Sequence, residues 1–191
     1  MLHFADVHIG TESYGKTDPQ TGLSSRVVDF LRRMDEMIDF ARENAVDLAV
    51  FAGDAFKTPT PNPTYQREFA HRIRDLAELA PVVLLIGNHD MTPSSIRATS
   101  LEIYDTLDVP NVLVADSYDL HVVETKRGPV AVGTAPYPLR SRILEHVPTM
   151  GLTIAETDRI LEEKLVEILD DIAEAADEHD MPRLLTGHFT V

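Results

Sequence analysis

Four apolar segments of this sequence each end in residues that commonly bind metal ions. The endings are Asp6-Val7-His8, Gly53-Asp54, Gly87-Asn88-His89-Asp90 and Gly187-His188. Imidazole and carboxylate groups together suit Mn, Fe or Zn better than Ca or Mg. Because a carboxylate has two oxygens, Asp54 can bridge two cations, and Asn88 offers a neutral oxygen. The pattern predicts a pair of ions about 3.5–4 Å apart that lowers the pKa of a bridging water for attack on phosphorus.

The elements that must position these residues alternate between strands and helices. The pattern predicts strands at 2–5, 48–52, 82–86, 111–115, 120–124, 130–134 and 183–186, and helices at 25–43, 64–80, 94–107 and within 151–180. This order indicates a layered α/β sandwich. Ligands of open α/β sheets bind outside the carboxyl ends of the strands, so the four endings are expected to converge. In a regular strand, Asp6 and His8 would share one face.

Each ending has an ordinary explanation when it is taken alone, because Asp, Asn and Gly are common turn residues. The run at 87–90 is the most specific, since turns rarely need His. The glycines before Asp54, Asn88 and His188 would let the backbone approach the ions closely. The remaining histidines lack such contexts, and we predict that His3 is structural and that His71 and His179 are surface groups on helices. The other two are His121 and His146.

The composition excludes several other classes of protein. The 191 residues include no Cys, which excludes a disulfide scaffold, a Cys-ligated zinc site and a thiol nucleophile. Neither a membrane span nor a signal peptide is visible, so we predict a cytoplasmic protein without a membrane partner. The net charge of -15 argues against a generic basic nucleic-acid binder. Residues 151–180 alone hold 11 of the 32 acids, a pattern typical of one solvated helix face.

Taken in series, these motifs resemble the calcineurin-like metallophosphoesterase superfamily, and within it the SbcD-type DNA double-strand-break repair nucleases. The segments similar to that group are FADVHIG, VDLAVFAGDAF, PVVLLIGNHD, AVGTAPYP and LLTGHFTV. The resemblance spans nearly the whole chain and implies a layered α/β/β/α sandwich. It also implies metal-dependent hydrolysis of DNA phosphodiesters, by an exonuclease or endonuclease subunit that acts in DNA repair and recombination.

The resemblance assigns a role to each candidate residue. His89 would act near the leaving group as a proton donor or charge stabiliser, and Asp90 would orient and polarise His89. The family's usual activating ion is Mn. Two divalent ions would be held, the first by Asp6, His8 and Asp54, and the second by Asp54, Asn88 and His188.

The resemblance also implies partners for this chain. Nucleases of this group act on DNA as homodimers, together with an SMC-like coiled-coil ATPase of SbcC type. Helices near residues 64–80 and 94–107 would contribute to the dimer contact, although ordinary packing on the sheet explains those helices equally well. Two other functions stay open: a phosphoesterase acting on nucleotides or phosphomonoesters, and a scaffold on the same fold that has lost catalysis.

One departure from the family pattern concerns the end of the sequence. The family adds a later Gly-His-x-His motif that gives one His to each metal, and this sequence stops at Val191 without it. We therefore predict that residues 1–191 are a nuclease domain incomplete at its C-terminus, without the capping segment and the segment that binds the ATPase. Such a chain is expected to bind metal weakly and to have low or no nuclease activity.

Overall fold

Two β-sheets lie face to face in the computed structural model, which describes residues 1–19, 21–92 and 98–189. The first sheet is parallel and consists of β1 (Leu2–Phe4), β2 (Ala49–Phe51), β3 (Val82–Leu85) and β4 (Val112–Ala115), in that order. The second consists of β5 (Asp119–Thr125), β6 (Gly128–Ala135) and β7 (Arg183–Gly187). Strand β5 is antiparallel to β6, whereas β7 is parallel to it.

Helices cover the outer faces of both sheets. The first sheet carries α1 (Ser25–Glu43), α2 (Pro63–Ala77) and the short α3 (Glu102–Thr106). After the short α4 (Arg140–Ile143), the long acidic helix α5 (Ile154–Asp177) packs on the second sheet. The layers therefore run α/β/β/α, which confirms the predicted fold class. None of the described helices is long and apolar enough to cross a membrane.

Two hydrophobic cores hold these layers together. Side chains of a strand alternate between its two faces, so Ala49 and Phe51 face the helices while Val50 faces the second sheet. The outer core is built around the buried rings of Phe51, Phe56 and Phe69. The inner core is smaller and packs Val50 and its neighbours against Val132 of β6.

Polar side chains start the long helices at defined residues. The Ser24 hydroxyl accepts the N–H of Arg26, and the Asn62 side chain accepts the N–H of Thr64. Helix α5 begins with a reciprocal capping box in which Thr153 and Glu156 satisfy each other's backbone N–H groups. These caps fix the residues at which the helices begin. The start of each helix in turn fixes the length of the loop that runs to it across the sheet end.

Some predicted elements differ from the structure. The helix expected at 94–107 is helical only over Glu102–Thr106, and residues 93–97 lie outside the described residues. Helix α5 ends before His179, which is half-buried after the helix end instead of exposed on the helix. The first strand ends at Phe4, one residue earlier than expected, because the chain turns there toward the end of β2.

Candidate metal centre

The segment after β1 no longer has strand geometry and runs beside the loop after β2, to which it is hydrogen-bonded. The N–H of Asp6 donates to the Gly53 carbonyl at 3.0 Å, and the N–H of His8 donates to the Asp54 carbonyl at 3.1 Å. Asp6, His8 and Asp54 have φ angles of 57°, 46° and 62°. A left-handed conformation costs a non-glycine residue about 1–2 kcal/mol. The surrounding hydrogen bonds therefore hold three candidate ligands in a strained backbone. Asp6 and His8 do not lie in the regular strand that would have put them on one face.

The Asp54 carboxylate lies at the centre of the candidate residues and is only 2% exposed. Its Oδ2 lies 3.6 Å from His8 Nε2, and its Oδ1 lies 3.5 Å from His188 Nε2. Asp54 belongs to two groups whose ligand atoms lie within 4.8 Å of one another: Asp6, Asp54 and His188, and His8, Asp54 and His89. Both groups share Asp54, as a bridging carboxylate would. The other members of these two groups differ from the two ligand sets that the family resemblance implies. Those ligand sets stay a prediction.

The ring of His188 reaches this cluster from the second sheet. Its Nδ1–H donates to the Ala52 carbonyl at 2.6 Å, because a carbonyl oxygen can only accept. The other ring nitrogen, Nε2, faces Asn88 Oδ1 at 3.1 Å and Asp54 Oδ1 at 3.5 Å. An imidazole nitrogen, an amide oxygen and a carboxylate oxygen that face one another can all act as ligands of one cation. The donor set therefore fits a divalent metal ion.

His89 is held by the backbone of the neighbouring loop. Its ring Nδ1–H donates to the Lys57 carbonyl at 3.1 Å, and its backbone N–H donates to Asp54 Oδ1 at 2.8 Å. The ring also stands edge-on to the ring of His8, with centroids 4.8 Å apart. Sequence reasoning gave Lys57 no role, since a main-chain acceptor leaves no signal in the residue type.

Asp90 is fully buried and contacts the backbone of two loops. Its carboxylate accepts N–H groups from Asp54, Ala55, Phe56 and Gly87 at 2.8–3.4 Å. Burial raises the pKa of Asp90 to about 6, and the charge of Asp54 acts in the same direction, while the N–H donors oppose both effects. The expectation that Asp90 polarises His89 stays a prediction, and the ring bond of His89 goes to Lys57.

Two glycines allow the loops to pack this closely. A Cβ atom at residue 53 would lie 2.5 Å from His188 Nδ1 and 2.9 Å from the Cα of Gly87. A Cβ atom at residue 87 would collide with the carboxylate and the backbone nitrogen of Asp54. The sequence argument placed these glycines beside the ions. In the structure, they make room for the other loops and for the ring of His188.

The sequence matches the family model described as "Calcineurin-like phosphoesterase" over residues 1–183. The chain belongs to this family. Members bind divalent metals, and the Asp and His groups around Asp54 form the candidate metal site of this chain.

Curated relatives of this chain are named as DNA repair proteins or nucleases. It is 33% identical over 133 residues to "DNA double-strand break repair protein Mre11" of Thermoplasma acidophilum, covering 69% of this chain and 33% of the relative. It is 27% identical over 148 residues to a subunit of the nuclease SbcCD of Bacillus subtilis, covering 76% of this chain and 35% of the relative. For the corresponding SbcCD protein of Escherichia coli K12, the identity is 27% over 100% of this chain and 46% of the relative. The matches thus span from a third to under half of each relative.

A groove of about 530 Å³ opens beside the candidate metal ligands. Its lining includes Asp6, Asn88 and His188, together with the aromatic side chains of Tyr137 and Phe189. His3, which we predicted to be structural, is exposed and lines the same groove. Sequence reasoning missed Tyr137 and Phe189, although both follow closely after strands that end at the site.

Proposed function

We propose that this protein hydrolyses DNA phosphodiesters with two bound divalent metal ions. Mn²⁺ is the ion expected at both sites. One observation carries the proposal: the buried Asp54 carboxylate is shared by two groups of Asp and His ligands. Bound ions would lower the pKa of water and neutralise charge at the phosphate. The names of the relatives support DNA as the substrate.

The residues around Asp54 have distinct tasks in this proposal. Asp6, His8, Asp54, Asn88 and His188 hold the ions. His89 gives a proton to the departing oxygen or stabilises its charge. With Nδ1–H bound to the Lys57 carbonyl, Nε2 is the ring atom left for this task. A general acid of this kind contributes about 10²–10⁴-fold to a rate.

A comparison of two substrates tests the reaction class. We expect the purified chain to cleave double-stranded DNA ends only slowly in the presence of Mn²⁺, but still faster than it hydrolyses p-nitrophenyl phosphate. A chelator should stop the reaction, and added Mn²⁺ should restore it. Hydrolysis of the phosphomonoester without DNA cleavage would support the alternative phosphoesterase, and rapid DNA cleavage would contradict the weak activity expected from the sequence.

We propose that the protein acts with DNA and with an SMC-like ATPase of the SbcC type. Two of the relatives are named as part of a nuclease called SbcCD, which supports such a partner. The strongly acidic helix α5 lies on the outer face of the second sheet, away from the strand ends of the first sheet that carry most of the candidate ligands. Because α5 carries nine acids and two bases, about half of the net charge of -15 lies away from the metal centre.

We propose a homodimer through the apolar groove of about 380 Å³ between α2 and α3. Ile103 and Leu107 line this groove and are 49% and 68% exposed. Changing Leu107 to Glu should separate the dimer, because it places a charge in an apolar contact. Sedimentation equilibrium measures this result. The matched control is Val166→Glu, since Val166 is 53% exposed on α5. A wild-type chain that is monomeric at high concentration would refute the dimer.

A further inference from the structure

The loops after β2 and β3 hold each other through two buried carboxylates. Asp54, in the first loop, accepts the backbone N–H of His89 in the second at 2.8 Å. Asp90, in the second loop, accepts N–H groups of residues 54, 55 and 56 in the first, the shortest of them from Asp54 at 2.8 Å. It also accepts the N–H of Gly87 in its own loop at 3.1 Å. The contacts therefore run in both directions between the loops that carry the central ligands.

We infer that Asp90 is a positioning residue that sets the geometry of the metal ligands through the backbone, and not through the ring of His89. The Asp90 carboxylate fixes the amide of Asp54, whose backbone is strained at φ 62°. It closes the turn that presents Asn88 and His89. The ring of His89 takes its orientation from the carbonyl of Lys57. This inference rests on the proposed function only in the experiment that measures metal binding.

A fully buried carboxylate suits this task because it only accepts hydrogen bonds. Each Asp90 oxygen receives two N–H groups, Oδ2 from residues 54 and 87, and Oδ1 from residues 55 and 56. An Asn side chain keeps one accepting oxygen but turns an NH₂ group toward two N–H donors. Asp90→Asn therefore keeps the volume of the side chain and breaks the bonds to one pair of amides.

The first test needs no metal. In the metal-free wild-type protein, we expect slow hydrogen exchange at the amides of residues 54, 55 and 87, which lie outside the strand ladders. In Asp90→Asn, exchange at residues 54 and 87, or at residues 55 and 56 if the amide is flipped, should speed up at least about 10-fold relative to the rest of the core. Asp47→Asn is the matched control, since Asp47 is a largely buried carboxylate paired with Arg127. Fast exchange at these amides in the wild type would overturn the inference, even if the variant failed to fold.

The second test separates the backbone route from the His89 route. Calorimetric titration with Mn²⁺ should show affinity about 10–100-fold weaker in Asp90→Asn than in the wild type. The same loss should appear when Asp90→Asn is combined with His89→Ser, because the two effects are then independent. A loss confined to the protein with His89 intact would refute the inference. A wild type that binds no Mn²⁺ would refute the proposed function alone, since the exchange test would still stand.

Discussion

Changing Asp54 to Asn is expected to remove metal binding and hydrolysis together. Asp54 is the one residue common to both groups of candidate ligands, so the substitution weakens both ion sites at once. One charge about 4 Å from another contributes ~4 kcal/mol at an effective dielectric constant of about 20, or about 10³-fold in affinity. Titration with Mn²⁺ and rates of DNA cleavage measure the two losses.

The fold should survive this change. Asn keeps an oxygen that can accept the backbone N–H of His89, and it removes the negative charge beside the buried Asp90. The metal-free variant should therefore unfold at the same temperature as the metal-free wild type, or at a higher one. Asp39→Asn removes a charge at an exposed position of α1 and serves as the control. Full Mn²⁺ affinity in Asp54→Asn would show that the ions bind elsewhere.

Changing His89 to Ser is expected to reduce hydrolysis and to leave the metal affinity unchanged. Loss of a general acid lowers a rate by about 10²–10⁴-fold. Single-turnover cleavage of DNA at saturating Mn²⁺ measures the rate, and calorimetry measures the affinity. His146→Ser, at an exposed position after α4, is the matched control.

The opposite result has a definite structural meaning. His89 also belongs to one of the two groups whose atoms could hold an ion, with His8 and Asp54. If the affinity for Mn²⁺ falls as far as the rate, then His89 is a ligand. The ligand sets implied by the family resemblance would then have to be redrawn around the groups that the geometry gives.

The order of the elements and the meeting of the four endings could be predicted from sequence. Apolar strands of a parallel sheet bring their carboxyl ends to one edge, which is why Asp6, Asp54 and Asn88 lie together. The course of the loops could not be predicted. The positive φ angles of Asp6 and His8 depend on hydrogen bonds to the loop after β2, which sequence periodicity does not reveal.

The hydrogen-bond partners of His89 and Asp90 could not be predicted from the sequence either. Every residue has a backbone carbonyl and every residue except proline has a backbone N–H, so nothing in the composition marks the carbonyl of Lys57 or the amides of residues 54–56. Because Asp90 follows His89 directly in the sequence, we expected its carboxylate to act on the imidazole ring. In the structure, that carboxylate joins two loops, and its effect on His89 stays a prediction.

The arrival of His188 from β7 has a mechanical consequence. Its ring reaches across the sandwich to the Ala52 carbonyl and to Asn88, so the candidate ligands belong to both sheets. An ion held by His188 and Asp54 would join the two sheets at one end, while the small inner core holds them elsewhere. The affinity for metal would then report on the alignment of the sheets, because sliding of one sheet over the other would separate His188 from Asp54 and Asn88.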